Sequence, residues 1–492
     1  MLLTPGPSCW RSGVADRAAL LIDMQAYFDA AMTVMRQARH SVHLLNWAFE
    51  PQTLFHPQPG GGGKDEDRIG KFLIALAEKK PQLDVRLLCW KSAMPVASTQ
   101  HFFPLADRKV FAGTKVKFVL DGRLPQGACH HQKMIIVDDS IAFCGGGDIG
   151  PDRWDTPQHL DDDPRREKTR RDNRCFDSRH EVMALLDGEP AMILGELFRD
   201  RWQRATGETL AAAAPTPSPH WPKSVEPTLT SIRAGVSRTS AKWRDLSEVR
   251  ECEALHLEAI AAARRCIYME NQYFTSPVIA RALAVRLSEP KGPEVVLISA
   301  EHSPSYFDQF TMDRTRSTFI RAVQDADRHH RCKIYSPVTA LGRTIIVHAK
   351  LTIIDDTLLR IGSANINNRS MGFDTECDLS LEALGAGAAA NRAAIRTART
   401  RLLAHWLGCN EDSVDGAIRE HGGVGPGLEA LRLGGYCRLR PIEAETLGPL
   451  AGLIAGYHLG DPVGPGDSWR PWRRKQALKA RLGQVLRPAT RK

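Results

Sequence analysis

Two short runs, 217 residues apart (131 to 348), share every interval between their polar residues, and no other feature restricts this chain so tightly. In the first, His131-Gln132-Lys133 is followed by four residues, Asp138, six more residues and Gly145-Gly146-Gly147-Asp148. In the second, His348-Ala349-Lys350 is followed by four residues, Asp355, six more and Gly362-Ser363-Ala364-Asn365. One His-x-Lys carries no information; two copies agreeing at five spaced positions mark a duplication. A period this long means repeated half-domains rather than a solenoid. The run Ala38-Arg39-His40-Ser41-Val42-His43 likewise parallels Ala263-Arg264-Arg265-Cys266-Ile267-Tyr268, each at a helix-to-strand junction.

The pattern around these runs alternates helix and strand. Residues 17–39 read as an amphipathic helix and 41–49 as a strand ending at Pro51. A Gly-rich loop at 59–63 leads into a charged helix start at 64–67, and a second apolar strand follows at 84–90. The segment 210–227 carries four successive alanines and then Pro215, Pro217, Pro219, Pro222 and Pro227, the composition of a linker. After it a helix is expected at 247–265 and strands at 266–269 and 294–299. Alternation of this kind predicts an α/β sheet. The expected division is an N-terminal half over 1–209, a Pro/Ala-rich linker over 210–245, a C-terminal half over 246–410 and a basic extension over 411–492.

Composition narrows the partners. With 42% apolar residues in 492, two sizeable cores can form. The net charge of +9 collects in tracts such as 165–171 and 472–475, which favours nucleic acid, an anionic membrane surface or phosphate esters over cationic partners; solvated arginine faces explain any single tract equally well. Eleven scattered cysteines without a Cys-x-x-Cys pair indicate neither a zinc cluster nor a disulfide scaffold, and fit a reducing compartment. Charged residues Asp16, Arg17 and Asp23 bracket the first apolar run, so no secretory signal is read. No apolar segment approaches the roughly 20 residues that span a bilayer. A cytoplasmic or peripherally membrane-associated protein is expected, with signal-independent export left open.

Within each motif, strand alternation puts His and Lys on one face while the following apolar residues anchor the strand. The glycines after the second strand are expected to let backbone approach a phosphate, with Asn365 adding an amide. His130 and Cys129 adjoin His131, and alternation turns His130 to the opposite face, a packing position. Trp47, Trp90, Trp154 and Tyr273 are candidates for a pocket lining or for core.

These runs resemble the duplicated motifs of the phospholipase D superfamily. The stretches 145–155, 268–274 and 362–371 resemble its eukaryotic-type branch in particular, and the likeness extends over roughly residues 35–405. The resemblance implies two duplicated α/β/α half-domains, each a mixed sheet flanked by helices, with the active site at their interface. It implies that His131 attacks phosphorus to form a phosphohistidine, and that His348 protonates the leaving alcohol and then activates water. Lys133, Lys350 and Asn365 would neutralise the phosphoryl oxygens. Glu181 and Glu376 resemble the family's orienting carboxylates, each expected to serve the opposite half's histidine, Glu376 with His131 and Glu181 with His348. Asp138 and Asp355, with Gly145, Gly146, Asp148, Gly362 and Ser363, are expected to be structural. Asp148 stands where the family usually has Asn, and Arg179 where it usually has Trp.

The resemblance implies a phospholipase D that releases phosphatidic acid and a free head group, with alcohol exchange as an accompaniment. A cardiolipin synthase-like phosphatidyltransferase and a nuclease-type phosphodiesterase are the alternatives. No metal-ligand cluster is read around either motif, and neither metal nor cofactor is expected. The expected partner is phospholipid at a membrane surface, with no stable nucleic acid, acting on a monomer that holds both half-sites.

Overall fold

Strands buried on both faces dominate both halves, and their sequences accordingly run nearly continuously apolar; β8 (Val182–Asp187, VMALLD) is buried along its whole length. The computed structural model describes residues 1–60, 62–92, 103–167, 175–214, 221–303, 305–385, 387–434 and 437–485. The first half supplies β1 (Arg11–Ile22), β2 (Ser41–Asn46), β3 (Asp84–Trp90), β4 (Lys117–Asp121), β5 (Met134–Val137), β6 (Ile141–Gly145), β7 (Arg179–His180) and β8. The second supplies β9 (Leu229–Ser240), β10 (Val249–Arg250), β11 (Cys266–Asn271), β12 (Glu294–Ile298) and β13 (Cys332–Pro337). It continues with β14 (Ile346–Val347), β15 (Lys350–Ile354), β16 (Leu358–Gly362), β17 (Glu376–Glu382) and β18 (Leu439–Pro441).

Among the described residues one mixed sheet of 16 strands runs through both halves, β10 pairing β9 off its main path. From its centre outward the first half is ordered β1-β8-β6-β5-β2-β3-β4 and the second β9-β17-β16-β15-β11-β12-β13-β18. The orders correspond strand for strand as far as β4 and β13, and β18 is an addition to the second half. At the seam β1 and β9 pair antiparallel, with Arg11 opposite Val236 and Ala18 opposite Leu229. Helices cover both faces. Helices Asp23–Gln37 and Ile69–Lys79 close one core of the first half, and Glu251–Ala262, Pro277–Ser288 and Arg314–Ala326 its counterpart in the second. Helices Glu189–Thr206 and Ala388–Leu407 cover a single core continuous across the seam, containing Trp202 and Trp406.

The seam is where the structure departs from the sequence expectations. Residues 17–22, expected as helix, end β1, and the helix begins only at Asp23. Residues 229–240, expected inside the linker, are β9. Both strands lie in the middle of the sheet, where a short apolar run has the same appearance as a buried helical turn. Pro215, Pro217 and Pro219 fall outside the described residues. The expected strand 41–49 stops at Asn46, because the Asp148 carboxylate takes the N–H groups of Trp47 and Ala48. The expected helix 247–265 is shortened to 251–262, since Val249 and Arg250 pair with β9.

Two arginines in the basic tracts are structural. Arg166 is buried, bonding Ser178, Asp155 and the carbonyls of Leu160 and Asp161; residues 168–171 of that tract lie outside the described residues. Arg474 is buried against Asp467. The extension beyond residue 410 folds back on the second half, where β18 pairs with edge strand β13. All eleven cysteines are free. Among the described residues no helix is long and apolar enough to cross a membrane.

Candidate active site

Each motif histidine lies just ahead of its strand, His131 before β5 at Met134 and His348 before β15 at Lys350, held by backbone from the other half. The His131 N–H donates to the Thr375 carbonyl (2.9 Å) and the His348 N–H to the His180 carbonyl (2.8 Å). Before them, His130 bridges Thr375, and β14 pairs in parallel with β7. The residue after each partner segment is a glutamate, so the crossed backbone pairing delivers a carboxylate to the opposite imidazole. His131 Nδ1 lies 3.0 Å from Glu376 Oε2, and His348 Nδ1 lies 2.5 Å from Glu181 Oε2. A carboxylate accepts from Nδ1–H, which leaves each Nε2 as the nitrogen with the lone pair.

Lys133 and Lys350, two residues further on, point to the same side. The Lys133 ammonium donates to the His131 carbonyl at 2.6 Å and stands 3.5 Å from Asp148. The Lys350 ammonium donates to the His348 carbonyl. Asn365 Oδ1 and Glu376 Oε1 are buried without a hydrogen-bond partner, the condition of polar atoms waiting for a ligand. The site is open at His131, whose side chain keeps 15% of its exposure. Trp47 stands edge-on to that ring at 6.5 Å and stacks on Trp90 at 5.7 Å, so these two line the approach. Trp154 belongs to the core, and the Tyr273 hydroxyl donates to Asp308 at 2.9 Å.

Burial sets the proton affinities. It drives both imidazoles well below their ordinary value, with Lys133 and Lys350 pushing His131 further down, and Lys350 and Arg153 doing the same to His348. It pushes Lys350 down to about 7. It raises Glu181 to about 7 and Glu376 to about 8, against the opposing pull of Lys350 and Lys133 respectively. The protons of this site therefore reside on histidine–carboxylate pairs near neutrality, not on isolated rings.

The remaining expected residues do other work. The Asp138 carboxylate accepts the N–H groups of Arg39, His40 and Ser41, and Asp355 those of Arg264, Arg265 and Cys266. Each aspartate ties its motif strand to the helix-to-strand junction noticed in the sequence. Gly145 and Gly362 are close-packing positions. A Cβ at Gly145 would collide with Met183, and one at Gly362 with Asp378, so they let neighbouring strands pass. Gly146 faces Glu181 and Lys350, and Ser363 donates to Glu376 at 2.5 Å. His130 turns away from the site to Thr375 Oγ1 (3.0 Å) and Asp121 (2.8 Å).

The sequence reading missed Arg153 and gave Arg179 no role at the site. Arg153 and Arg179 both act on His348, and both are buried. Arg179 is anchored on Asp152 at 2.8 Å. Also unanticipated is a buried group, Asp23, His159, His180 and His405, whose donor atoms are close enough to hold a metal ion. His180 already spans Asp23 and Glu270, each at 2.9 Å. Burial alone would depress its pKa, but the two carboxylates outweigh it and push it up to about 10. His159 lies between Asp155 (2.9 Å) and His405 (3.1 Å). With His180 favoured as a cation, this reads as an ion-pair network bracing the segment before Glu181.

Residues 256–391 match the family model described as cardiolipin synthase, phospholipase D-like domain. The chain is 24% identical to Phospholipase D1 of Schizosaccharomyces pombe over 330 residues, 49% of this chain and 24% of that protein. It is 25% identical to a Cardiolipin synthase A of Pseudomonas putida over 374 residues, 74% of this chain and 64% of that one. The chain thus carries a phospholipase D-like domain and has relatives in the phospholipase D superfamily. It spans from a quarter to under two thirds of the length of these curated relatives. The superfamily fold is also that of the phosphatidylserine synthase of Haemophilus influenzae, with a TM-score of 0.54, 10% identity and coverage of 95% of this chain and 94% of that one. Superfamily relatives thus include enzymes named both for hydrolysing and for building phospholipids.

Proposed function

We propose that the chain is a phospholipase D that hydrolyses the distal phosphodiester of a glycerophospholipid to phosphatidic acid and a free head group. The observation that carries this reading is the pair of motif histidines, each with Nδ1 held by a carboxylate from the other half. In the first step His131 Nε2 donates its lone pair to phosphorus. The bond from phosphorus to the head-group oxygen breaks, and the proton held by the His348–Glu181 pair passes to that oxygen. In the second step the same pair takes a proton from water, the resulting oxygen attacks phosphorus, and the phosphorus–nitrogen bond to His131 breaks. Lys133, Lys350 and Asn365 balance charge on the non-bridging oxygens in both steps.

Transfer to a lipid alcohol differs only in what replaces water. The matching cardiolipin synthase-type family model and the synthase relatives favour this second reading. Product analysis separates them. Purified protein and His131→Ala are incubated with mixed phospholipid vesicles, a chelator and a trace of ethanol. Phosphatidic acid and phosphatidylethanol from wild type alone support the hydrolase with exchange; cardiolipin from added phosphatidylglycerol without phosphatidic acid supports the transferase. Intact lipids, alongside cleavage of a generic phosphodiester that His131→Ala abolishes, would overturn the lipid substrate.

A further inference from the structure

The C-terminal extension exposes apolar side chains that a soluble surface ordinarily hides. Helix Pro449–Gly456 buries Ile454 and Ala455 on one side while Leu450 and Leu453, three apart on the other, stand 65% and 55% exposed. A helix apolar on both sides has a partner for only one of them. Further along, Trp469 and Trp472 are 66% and 68% exposed, the most exposed aromatic rings among the described residues.

The charge around them has one sign. Between 447 and 485 the acidic residues are Asp461 and Asp467, and both are buried. Asp467 is moreover consumed by Arg474. The exposed charges are cationic: Arg470 and Arg473 interleave with the two tryptophans, and Lys475 lies over the Tyr457 ring at 4.3 Å. Exposed tryptophan interleaved with arginine suits the interfacial zone of a bilayer, where the ring sits among head groups and the cation meets lipid phosphate.

This surface is continuous with the loop that carries the proposed nucleophile. The Ser468 hydroxyl donates to the Gln126 carbonyl at 3.1 Å, and the Trp469 indole nitrogen would lie 3.4 Å from a Cβ at Gly127. Gly127 is in turn bonded through its carbonyl to Arg369, which also grips Asp374, beside the Thr375 that accepts from His131.

We propose that the face formed by Leu450, Leu453, Trp469, Arg470, Trp472 and Arg473 docks the protein on an anionic phospholipid surface, seating the membrane next to the His131 loop. The proposal extends the reading of a phospholipid substrate, and the two can fail separately. Full-length wild type, a Trp469→Ser/Trp472→Ser variant and an Arg470→Glu/Arg473→Glu variant are floated with two vesicle types. One is phosphatidylcholine alone, the other equal parts phosphatidylcholine and phosphatidylglycerol.

Wild type floats with the anionic vesicles, and each double variant loses about tenfold or more in partition. Added salt weakens what the tryptophan variant retains more than what the arginine variant retains. Turnover of a short-chain phosphatidylcholine below its micellar concentration is the same in all three. Melting curves check folding; if the tryptophan variant unfolds, the exposed arginine pair carries the test. Equal flotation by folded variants, or wild type that does not float, overturns the proposal. Wild type that floats in this way but cleaves no phospholipid supports the docking face and overturns the substrate.

Discussion

Ser363 gives its hydroxyl proton to Glu376, whereas Gly146, at the same place in the other half, has nothing to give Glu181. The two half-sites are therefore unequal: the second donor to Glu376 is a side-chain hydroxyl, whereas that to Glu181 is the Val182 backbone N–H at 3.2 Å. Removing the hydroxyl with Ser363→Ala costs Glu376 a charge-assisted bond and should lower kcat by about tenfold or more, with little change in KM. That bond favours the ionised carboxylate, so its loss raises the pKa of Glu376 and moves the acid limb of the pH profile upward. A fall in activity without that shift would reduce Ser363 to a packing role. The reciprocal change, Gly146→Ser, places atoms within 2.7 Å of Glu181 and of the Lys350 side chain and 3.1 Å from the His348 carbonyl. It should abolish turnover.

The two carboxylates also fix the working pH. Attack by His131 requires Glu376, raised to about 8, to be ionised, so activity falls as pH drops through that range. Protonation of the leaving group requires the Glu181 pair, raised to about 7, to hold its proton, so activity falls as pH rises. A narrow bell in kcat/KM centred between pH 7 and 8 is the expected profile. An optimum near pH 5, in the ordinary carboxylate range, would contradict the assignment.

The motif aspartates should separate stability from chemistry. Asp138 is buried and satisfies three backbone N–H groups at a junction. Asp138→Ala should cost about 3 kcal/mol in denaturant unfolding while leaving kcat per folded molecule near wild type. Asp355 makes the same three bonds but is itself only half-buried, where water can replace the carboxylate. Asp355→Ala should therefore destabilise less. Equal losses of kcat with no change in stability would place the aspartates in the reaction instead.

The contrast between these aspartates and the central strands shows what a sequence exposes. The motifs were legible because duplication printed them twice at fixed intervals, and the junctions because they recur beside them; the glutamates, 50 residues past His131 (131 to 181) and 28 past His348 (348 to 376), were legible only through the family resemblance. β1 and β9 are duplicated too, but they are apolar strands without a polar signature, and β9 follows a Pro-rich stretch whose composition drew the linker boundary too far. The ion-pair network was illegible for a different reason. Asp23, His159, His180 and His405 meet only after both halves have folded, and no spacing connects them. Arg179 was noticed as a departure from a family pattern; its action on His348 became visible only in space.

Glu376 should reveal the energetic cost of keeping a reactive carboxylate in the core. It is fully buried, and its folded-state pKa of about 8 stands above the ordinary value of 4.5. The sign follows from proton binding: between those values the folded protein holds a proton that the unfolded chain has released, so stability falls as pH rises. Its contribution is complete below about pH 4.5 and gone above about pH 8. Glu376→Gln keeps the shape and removes the titration. The variant should lose phosphodiesterase activity, yet unfold with the same free energy as wild type at pH 5 and with a higher one at pH 9, by on the order of a few kcal/mol. Denaturant titrations of both proteins at the two pH values test this directly. A variant less stable than wild type at pH 9 would mean that Lys133 and Lys350 compensate the buried charge fully, and that Glu376 braces the fold as well as His131.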